Sequence, residues 1–276
     1  MFCNLYFVNL YKYNFKFSKI MMHYAMPISQ RLKKLIKSLH QKPFRDQNGL
    51  FLVEGEKLAN ELLISDFHPE LIVVKDAPSS DIIDCIEQFS EKGTPIYTAP
   101  KHQFDQICDT KTPQNVLAVV NIKHREVLKN EPFIALDGIS DPGNVGTIIR
   151  TADWFGYKQV ILGKDCADIF NPKTVRGTMG AIFKTHLIYE PDLAEYLKET
   201  FPKHKIYGAS AKAETALQSI KPKKLYGIVL GSESHGISEQ TIEILDGEFK
   251  IEGKGRTESL NVAVAASIAM YHLSNF

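Results

Sequence analysis

The first 45 residues contain no aspartate or glutamate; the first acid is Asp46. Nine lysines and arginines fall in the same stretch, although the net charge of the 276-residue chain is only +1. The molecule is therefore no polycation, and its positive charge is gathered near one end. Such asymmetry fits a polyanionic partner or a solvated helix face, and charge alone does not separate the two. Cysteine is scarce as well. Cys3, Cys85, Cys108 and Cys166 lie far apart and form no CxxC pair. That argues against a disulfide framework or a zinc site, and no His pair has ligand spacing, so no metal is expected. Reduced thiols suit a cytoplasmic protein. There is no GxGxxG with an acidic partner and no P-loop, which argues against the common dinucleotide and nucleoside triphosphate sites. No apolar run is long enough to span a membrane, and no internal repeat or low-complexity tract is present.

What remains is a chain with 44% hydrophobic residues, enough for real cores, and a length suited to two domains. Residues 1–26 stand apart. They are rich in aromatics, Asn and Lys, and they lack a clean apolar core or a small-residue cleavage site. The expectation is an ill-ordered extension, with Met22 or Met26 as an alternative start. Residues 27–45 read as one basic amphipathic helix, with Ser29 as a cap and Leu32, Leu35, Ile36 and Leu39 on one face. Strands are expected at 51–53, 71–74, 95–98 and 116–120, with helices near 56–64, 82–90 and 101–108. They make a small α/β domain over 27–122. The polar stretch 123–132 reads as a linker. From 133 onward strands (133–136, 159–162, 185–188, 205–209, 225–230 and 248–251) alternate with helices (144–155, 172–182, 193–200, 239–245 and 259–273). Alternation of this kind implies a mostly parallel sheet covered on both faces, over 133–276.

Three loops in that second domain carry the unusual residues. Each follows an expected strand and precedes an expected helix, so all three would meet at one edge of the sheet, where ligands bind. The first runs from Asp141 through Pro142, Gly143 and Asn144 to Arg150. Asn144 can cap the helix, and Gly146 permits close approach of a backbone or a ligand. The second runs from Gly231 to Gly236 and carries Glu233. The third runs from Ile251 to Asn261, where Ser259 is the expected cap of a final helix of small apolar residues. Asn261, read as buried at the start of that helix, needs hydrogen-bond partners that a nearby substrate would supply. Taken singly, each loop is more simply an ordinary capped turn.

Together, Asp141-Pro-Gly-Asn-Val-Gly146 with Arg150-Thr-Ala152, Gly231-Ser-Glu233 with Gly236, and Ser259-Leu-Asn-Val262 resemble the three ordered signature motifs of the SpoU-type (TrmH-type) RNA 2′-O-ribose methyltransferases, a branch of the knotted SPOUT class. Asn171–Phe183 is similar to a further family stretch, and Phe51-Leu-Val-Glu-Gly55 resembles the start of the family's accessory RNA-binding domain, which is related to small ribosomal proteins. The resemblance covers about residues 28–273. It implies a parallel-sheet SPOUT domain with a deep trefoil knot, S-adenosyl-L-methionine as cofactor, and a homodimer. Carried over residue by residue, it implies that Ala209, Leu230, Gly231, Gly236, Ile251 and Leu260 contact the cofactor. It also implies that Arg150, Asn144, Glu233, Ser259 and Asn261 serve the reaction. Arg150 as base and Arg150 as clamp on an RNA phosphate both stay open. The implied substrate is structured RNA, with 23S rRNA first and tRNA second. A non-catalytic RNA-binding or ribosome-assembly protein of the same fold, and a base methyltransferase, are the competing readings. Two departures stand out. Glu252 and Gly253 occupy positions where many relatives have Pro-Met, and Pro113-Gln114-Asn115 replaces a Pro-Gln-Gly turn.

Overall fold

The computed structural model describes residues 25–76 and 80–275. The chain divides into two compact units, one ending at Lys123 and the other beginning at His124. Residues 1–24 of the expected extension lie outside the described residues. The strand β1 (Ala25–Pro27) begins inside the range read as extension, where Ala25 and Met26 pair in parallel with Ile96 and Tyr97.

In the first unit, β1 is followed by α1 (Gln30–Ser38), α2 (Lys42–Asn48), β2 (Leu50–Glu54), α3 (Glu56–Leu63), β3 (Pro69–Lys75), α4 (Ser80–Glu91), β4 (Ile96–Ala99), α5 (Lys101–Ile107) and β5 (Val116–Asn121). The sheet order is β1-β4-β3-β5-β2. β1, β4 and β3 run parallel, and β5 is antiparallel to both β3 and β2. The single helix expected over 27–45 is two helices. Ser29 does cap the first, its side chain accepting from the Leu32 N–H. The break comes at Leu39–Gln41, because Pro43 lacks an N–H and disfavours helix just before it. Arg45 then turns inward, fully buried, and donates from its guanidinium to the Leu39 carbonyl at 2.8 Å. That bond satisfies a carbonyl that the ended helix leaves open. Gly49, at φ +64°, closes α2 in the left-handed conformation. Ile36 and Leu39 join Leu52, Val73, Phe104, Leu117 and Val119 in the core.

The second unit carries β6 (Phe133–Asp137), α6 (Pro142–Trp154), β7 (Gln159–Leu162), α7 (Pro172–Thr178), β8 (His186–Tyr189), α8 (Leu193–Thr200), β9 (Lys205–Ala209), β10 (Tyr226–Gly231), α9 (Glu239–Ile242), β11 (Gly247–Phe249) and α10 (Val262–Leu273). All six strands run parallel in the order β11-β9-β10-β6-β7-β8. Phe133–Leu136 and Ile228–Leu230 are buried throughout, as a parallel sheet covered on both faces requires. The stretch read as a linker belongs to this unit's packing. Gln159 Nε2 donates to the Leu128 carbonyl at 2.8 Å, and an Arg125 amino group donates to the Phe183 carbonyl at 2.8 Å. The helix expected over 172–182 stops at Thr178, because Met179 and Gly180 take left-handed backbone before a short 3-10 turn.

Two contacts fix the helices that frame the site. A Cβ on Gly146 would lie 2.7 Å from the Thr174 carbonyl oxygen and 2.9 Å from Gly177 Cα, so α6 and α7 meet backbone to backbone. The close approach expected at Gly146 is thus to a helix. At the other end of α10, Tyr157 and Tyr226 share a hydroxyl hydrogen bond of 2.8 Å, and Tyr226 donates to the Leu273 carbonyl at 3.1 Å. No described helix is long and apolar enough to cross a membrane.

Candidate functional site

The chain leaves β6 towards β7 and β8 on one side, while β10, β9 and β11 lie on the other. The carboxyl ends of β6 and β10 therefore flank a topological switch point, the usual place for a ligand in such a sheet. Asp137 and Gly231 are paired residues there. The first turn of α6 carries Asn144, the loop after β10 carries Glu233, and the cap of α10 is Asn261.

These three side chains form one relay. Asn144 Nδ2 donates to Glu233 Oε1 at 2.5 Å, and Asn261 Nδ2 donates to Asn144 Oδ1 at 3.1 Å. Asn261 Oδ1 accepts from the backbone N–H groups of Ala263 and Val264, at 2.9 and 3.3 Å. A carboxylate only accepts, so Glu233 sets the orientation of the Asn144 amide, and that in turn sets which end of Asn261 faces it. Residues 117 positions apart in sequence are thus locked by one line of hydrogen bonds.

Two expected caps move. Asp141, not Asn144, caps α6: its carboxylate accepts from the Asn144 N–H at 2.9 Å, and Pro142 takes the first helical position. Asn261, not Ser259, caps α10. Asn261 is also exposed rather than buried; its partners are Asn144 and its own helix, not an apolar interior. Ser259 and Leu260 are exposed on the loop before it.

The loop after β10 is folded tightly. Ser232 and Gly236 exchange backbone hydrogen bonds of 3.0 and 2.9 Å, and Gly236 has φ +73°. A Cβ on Gly231 would lie 2.1 Å from the Gly236 carbonyl carbon, so no other residue fits. Ala209 and Leu230 are paired residues on β9 and β10, Phe249 pairs with Ala209, and Ile251 follows two positions on. The expected cofactor residues therefore stand at neighbouring strand ends and on the loops that follow.

Arg150 is not brought to the relay. It is exposed, and among the described residues its side chain makes no hydrogen bond or ion pair. Six residues along a helix is a turn of about 240° from Asn144, so the two do not share a face. Arg150 shares its face instead with Trp154, one turn further, which is 82% exposed. Around them α10 exposes Val264, Ile268 and Tyr271, an apolar surface next to a cation.

Sequence reasoning missed the residues that hold the loops. Asp137 Oδ2 accepts from the Ser238 N–H at 2.9 Å and from its hydroxyl at 2.8 Å, tying the far end of the Glu233 loop to β6. Lys173 Nζ donates to Asp141 Oδ2 at 2.9 Å. That bond, with the Asn144 N–H, holds the Asp141 carboxyl below the usual carboxylate range. The Ser238-Glu239 cap was readable in sequence; the Asp137 contact was not, because it spans 101 residues. Cys166, behind Gly138, has its thiol pushed up to about 11 by burial, so it offers little thiolate at neutral pH. Among the described residues no three His, Cys, Asp or Glu side chains are grouped to hold a metal.

Known proteins resemble this chain in sequence and fold. Residues 131–271 match the model of the SpoU rRNA methylase family, and residues 30–118 match that of the MRM3-like substrate binding domain. The chain belongs to the SpoU rRNA methylase family. It is 34% identical over 238 residues to the 23S rRNA (guanosine(2553)-2'-O)-methyltransferase RlmP of Bacillus subtilis, covering 86% of this chain and 93% of that one. Among solved structures, a putative RNA methyltransferase of the TrmH family from Porphyromonas gingivalis superposes with a TM-score of 0.77 at 30% identity, covering 89% of this chain and 97% of that one. The AdoMet-bound rRNA methyltransferase from Sinorhizobium meliloti shares the fold, with a TM-score of 0.78 at 24% identity over 90% and 95% of the two chains. SpoU membership makes the chain a methyltransferase and assigns the crevice at β6 and β10 to the part of the molecule that the family model covers.

Proposed function

We propose that this protein uses S-adenosyl-L-methionine to methylate a ribose 2′-OH of structured RNA, with 23S rRNA as the substrate. The observation that carries the reading is the Glu233–Asn144–Asn261 relay, which joins all three signature loops at one switch point. A chain kept only for RNA binding has no need of three loops locked by side-chain amides. The residues present also fit the cofactor. Ala209, Leu230, Gly231, Gly236, Ile251 and Leu260 offer apolar side chains and backbone groups at adjacent strand ends, which suits an adenine-bearing ligand better than a charged cage would. Bound there, the cofactor supplies an electrophilic methyl group on a sulfonium.

The chain's own part is positioning and charge. Asn144, Ser259 and Asn261 orient the ribose, and Glu233 fixes Asn144. A guanidinium has five donors and no acceptor, so Arg150 serves not as a base but as a clamp on the RNA phosphate beside the target. A non-bridging oxygen of that phosphate takes the proton that leaves the 2′-oxygen. Positioning of this kind is worth several kcal/mol, up to about 7–11. Because Arg150 faces the exposed Trp154 surface rather than Asn144, we assign it to the site of a second copy. The homodimer buries Trp154, Val264, Ile268 and Tyr271, an apolar patch of the kind that marks an interface. The C-terminal domain is knotted in this reading; the pairing of Leu217 N–H with the Lys250 carbonyl and of Lys250 N–H with the Thr215 carbonyl brings the chain entering the last loop against the 210–225 loop, as such a knot needs. In this reading the protein works in the cytoplasm.

The test is transfer of labelled methyl to RNA from cells lacking this protein, with Arg150→Ala as the control and alkali-resistant positions mapped. One resistant site in 23S rRNA, lost with Arg150→Ala while cofactor binding persists, is expected. Label on tRNA would move the substrate, label on a base would overturn the ribose assignment, and cofactor binding without transfer to RNA or ribosomal subunits would leave a binding protein.

A further inference from the structure

We infer that α1 and α2 form a contact surface for an RNA segment with an unpaired base, in which Arg31, Lys34 and Lys37 grip phosphates and Phe44 stacks on the base. This rests on the RNA reading above and assigns residues to it. On α1 the buried side is set by Leu32, Leu35, Ile36 and Leu39. Arg31, Lys34 and Lys37 are exposed and fall within an arc of about 120° on the opposite side, spread over about 9 Å of helix. Lys33 is excluded from this stripe, since it is half-buried and donates to Gln103 Oε1 at 3.0 Å. No acid lies on α1, and the first acid of the chain, Asp46, is engaged by Lys42 at 2.7 Å. The stripe therefore keeps its full charge.

A solvated helix face would explain the cations but not the exposed ring on the helix that follows them. The break at Leu39–Gln41 and the inward turn of Arg45 leave Phe44 on the outside of α2, 40% exposed, among exposed Gln41, Lys42, Pro43, Gln47 and Asn48. The two helices are joined by a tight turn, in which the Gln41 N–H donates to the Ser38 carbonyl at 2.9 Å and the Phe44 N–H to the Gln41 carbonyl at 3.2 Å, so an exposed ring closely follows the row of cations along the chain; a stacking platform together with a charged track is what single-stranded nucleic acid recognition needs. Duplex RNA would use the cations but not the ring.

The experiment compares the full-length protein with two variants, using a fluorescent RNA hairpin bearing a seven-nucleotide unpaired loop and a fully paired RNA duplex of equal length. Phe44→Ala should weaken hairpin binding by about 5- to 150-fold, the range found for one stacked base, and leave duplex binding unchanged. Phe44→Trp should restore the hairpin preference, and Phe44→Leu, apolar but unable to stack, should not. Arg31→Ala/Lys34→Ala/Lys37→Ala should reduce the salt dependence of hairpin binding by about 2 in log–log slope, at roughly 0.7 per phosphate. Unchanged melting temperatures exclude misfolding as the cause, since all four side chains are exposed. Equal hairpin affinity for Phe44→Ala and the native protein, or an unchanged slope for the triple variant, overturns the proposal. Methyl transfer by the native protein alongside either result would show that the enzyme reading stands while this surface does not.

Discussion

Asn261 has two duties that different substitutions separate. Its Oδ1 caps α10 through the N–H groups of Ala263 and Val264, and its Nδ2 holds Asn144 Oδ1 at 3.1 Å. Asn261→Ala loses both. The cap is worth about 1 kcal/mol and the exposed amide bond up to another 1 kcal/mol, so the second unit should melt about 3–6 °C lower. Asn261→Asp keeps the cap, and a carboxylate at a helix N-terminus gains about 0.3–1 kcal/mol. It cannot donate, however, so its oxygen faces the Asn144 carbonyl. Flipping Asn144 offers no escape, because its carbonyl would then face the Glu233 carboxylate. The new side chain is exposed and can turn to water, so stability should be nearly unchanged while the relay opens. A fall of tenfold or more in kcat/KM is expected, about 1.4 kcal/mol of lost positioning. Melting by calorimetry and labelled methyl transfer to unmodified 23S rRNA read the two effects separately. Full activity in Asn261→Asp, or a loss of stability as large as that of Asn261→Ala, would refute the division of duties.

Three further outcomes test the frame around the site. Gly146→Ala places a methyl 2.7 Å from the Thr174 carbonyl oxygen and 2.9 Å from Gly177 Cα, with backbone on both counts, so α6 and α7 must part; a loss of about 1–3 kcal/mol in chemical denaturation is expected. Tyr226→Phe removes the donor to the Leu273 carbonyl and the partner of the buried Tyr157 hydroxyl, and should cost about 1–3 kcal/mol by the same measurement. His204 packs against Phe133 and Phe201, and burial holds its pKa below the ordinary 6.5. The unfolded chain therefore binds the proton more readily, so His204 contributes stability above pH 6.5 that is lost as pH falls through the folded value. Denaturation midpoints between pH 8 and 5 should fall on the acid side, and His204→Gln should flatten that fall; an identical pH profile would refute it.

Much of the architecture was legible in the chain itself, because hydrophobic period and turn chemistry are local. The apolar runs at Phe133–Leu136 and Ile228–Leu230 named central strands of a parallel sheet, and the motifs at Asp141–Arg150, Gly231–Gly236 and Ser259–Val262 named the family. The capping errors have a shared cause. Asn144 and Ser259 are competent cap residues, but Pro142 starts α6 two positions earlier, and Asn261 outcompetes Ser259 for the start of α10. Local propensity supplies several candidates at each helix end, and packing chooses among them.

The sequence by itself determined which residues are chemically special and in what order they occur. Only the tertiary structure decided which of them act together. Asn144, Glu233 and Asn261 meet because β6 and β10 are neighbours in the sheet, a pairing between segments nearly a hundred residues apart that no local pattern encodes. The same geometry sent Arg150 to a different face of its helix from Asn144, beside Trp154. A helix of 3.6 residues per turn fixes that divergence once α6 begins at Pro142 and docks through Gly146.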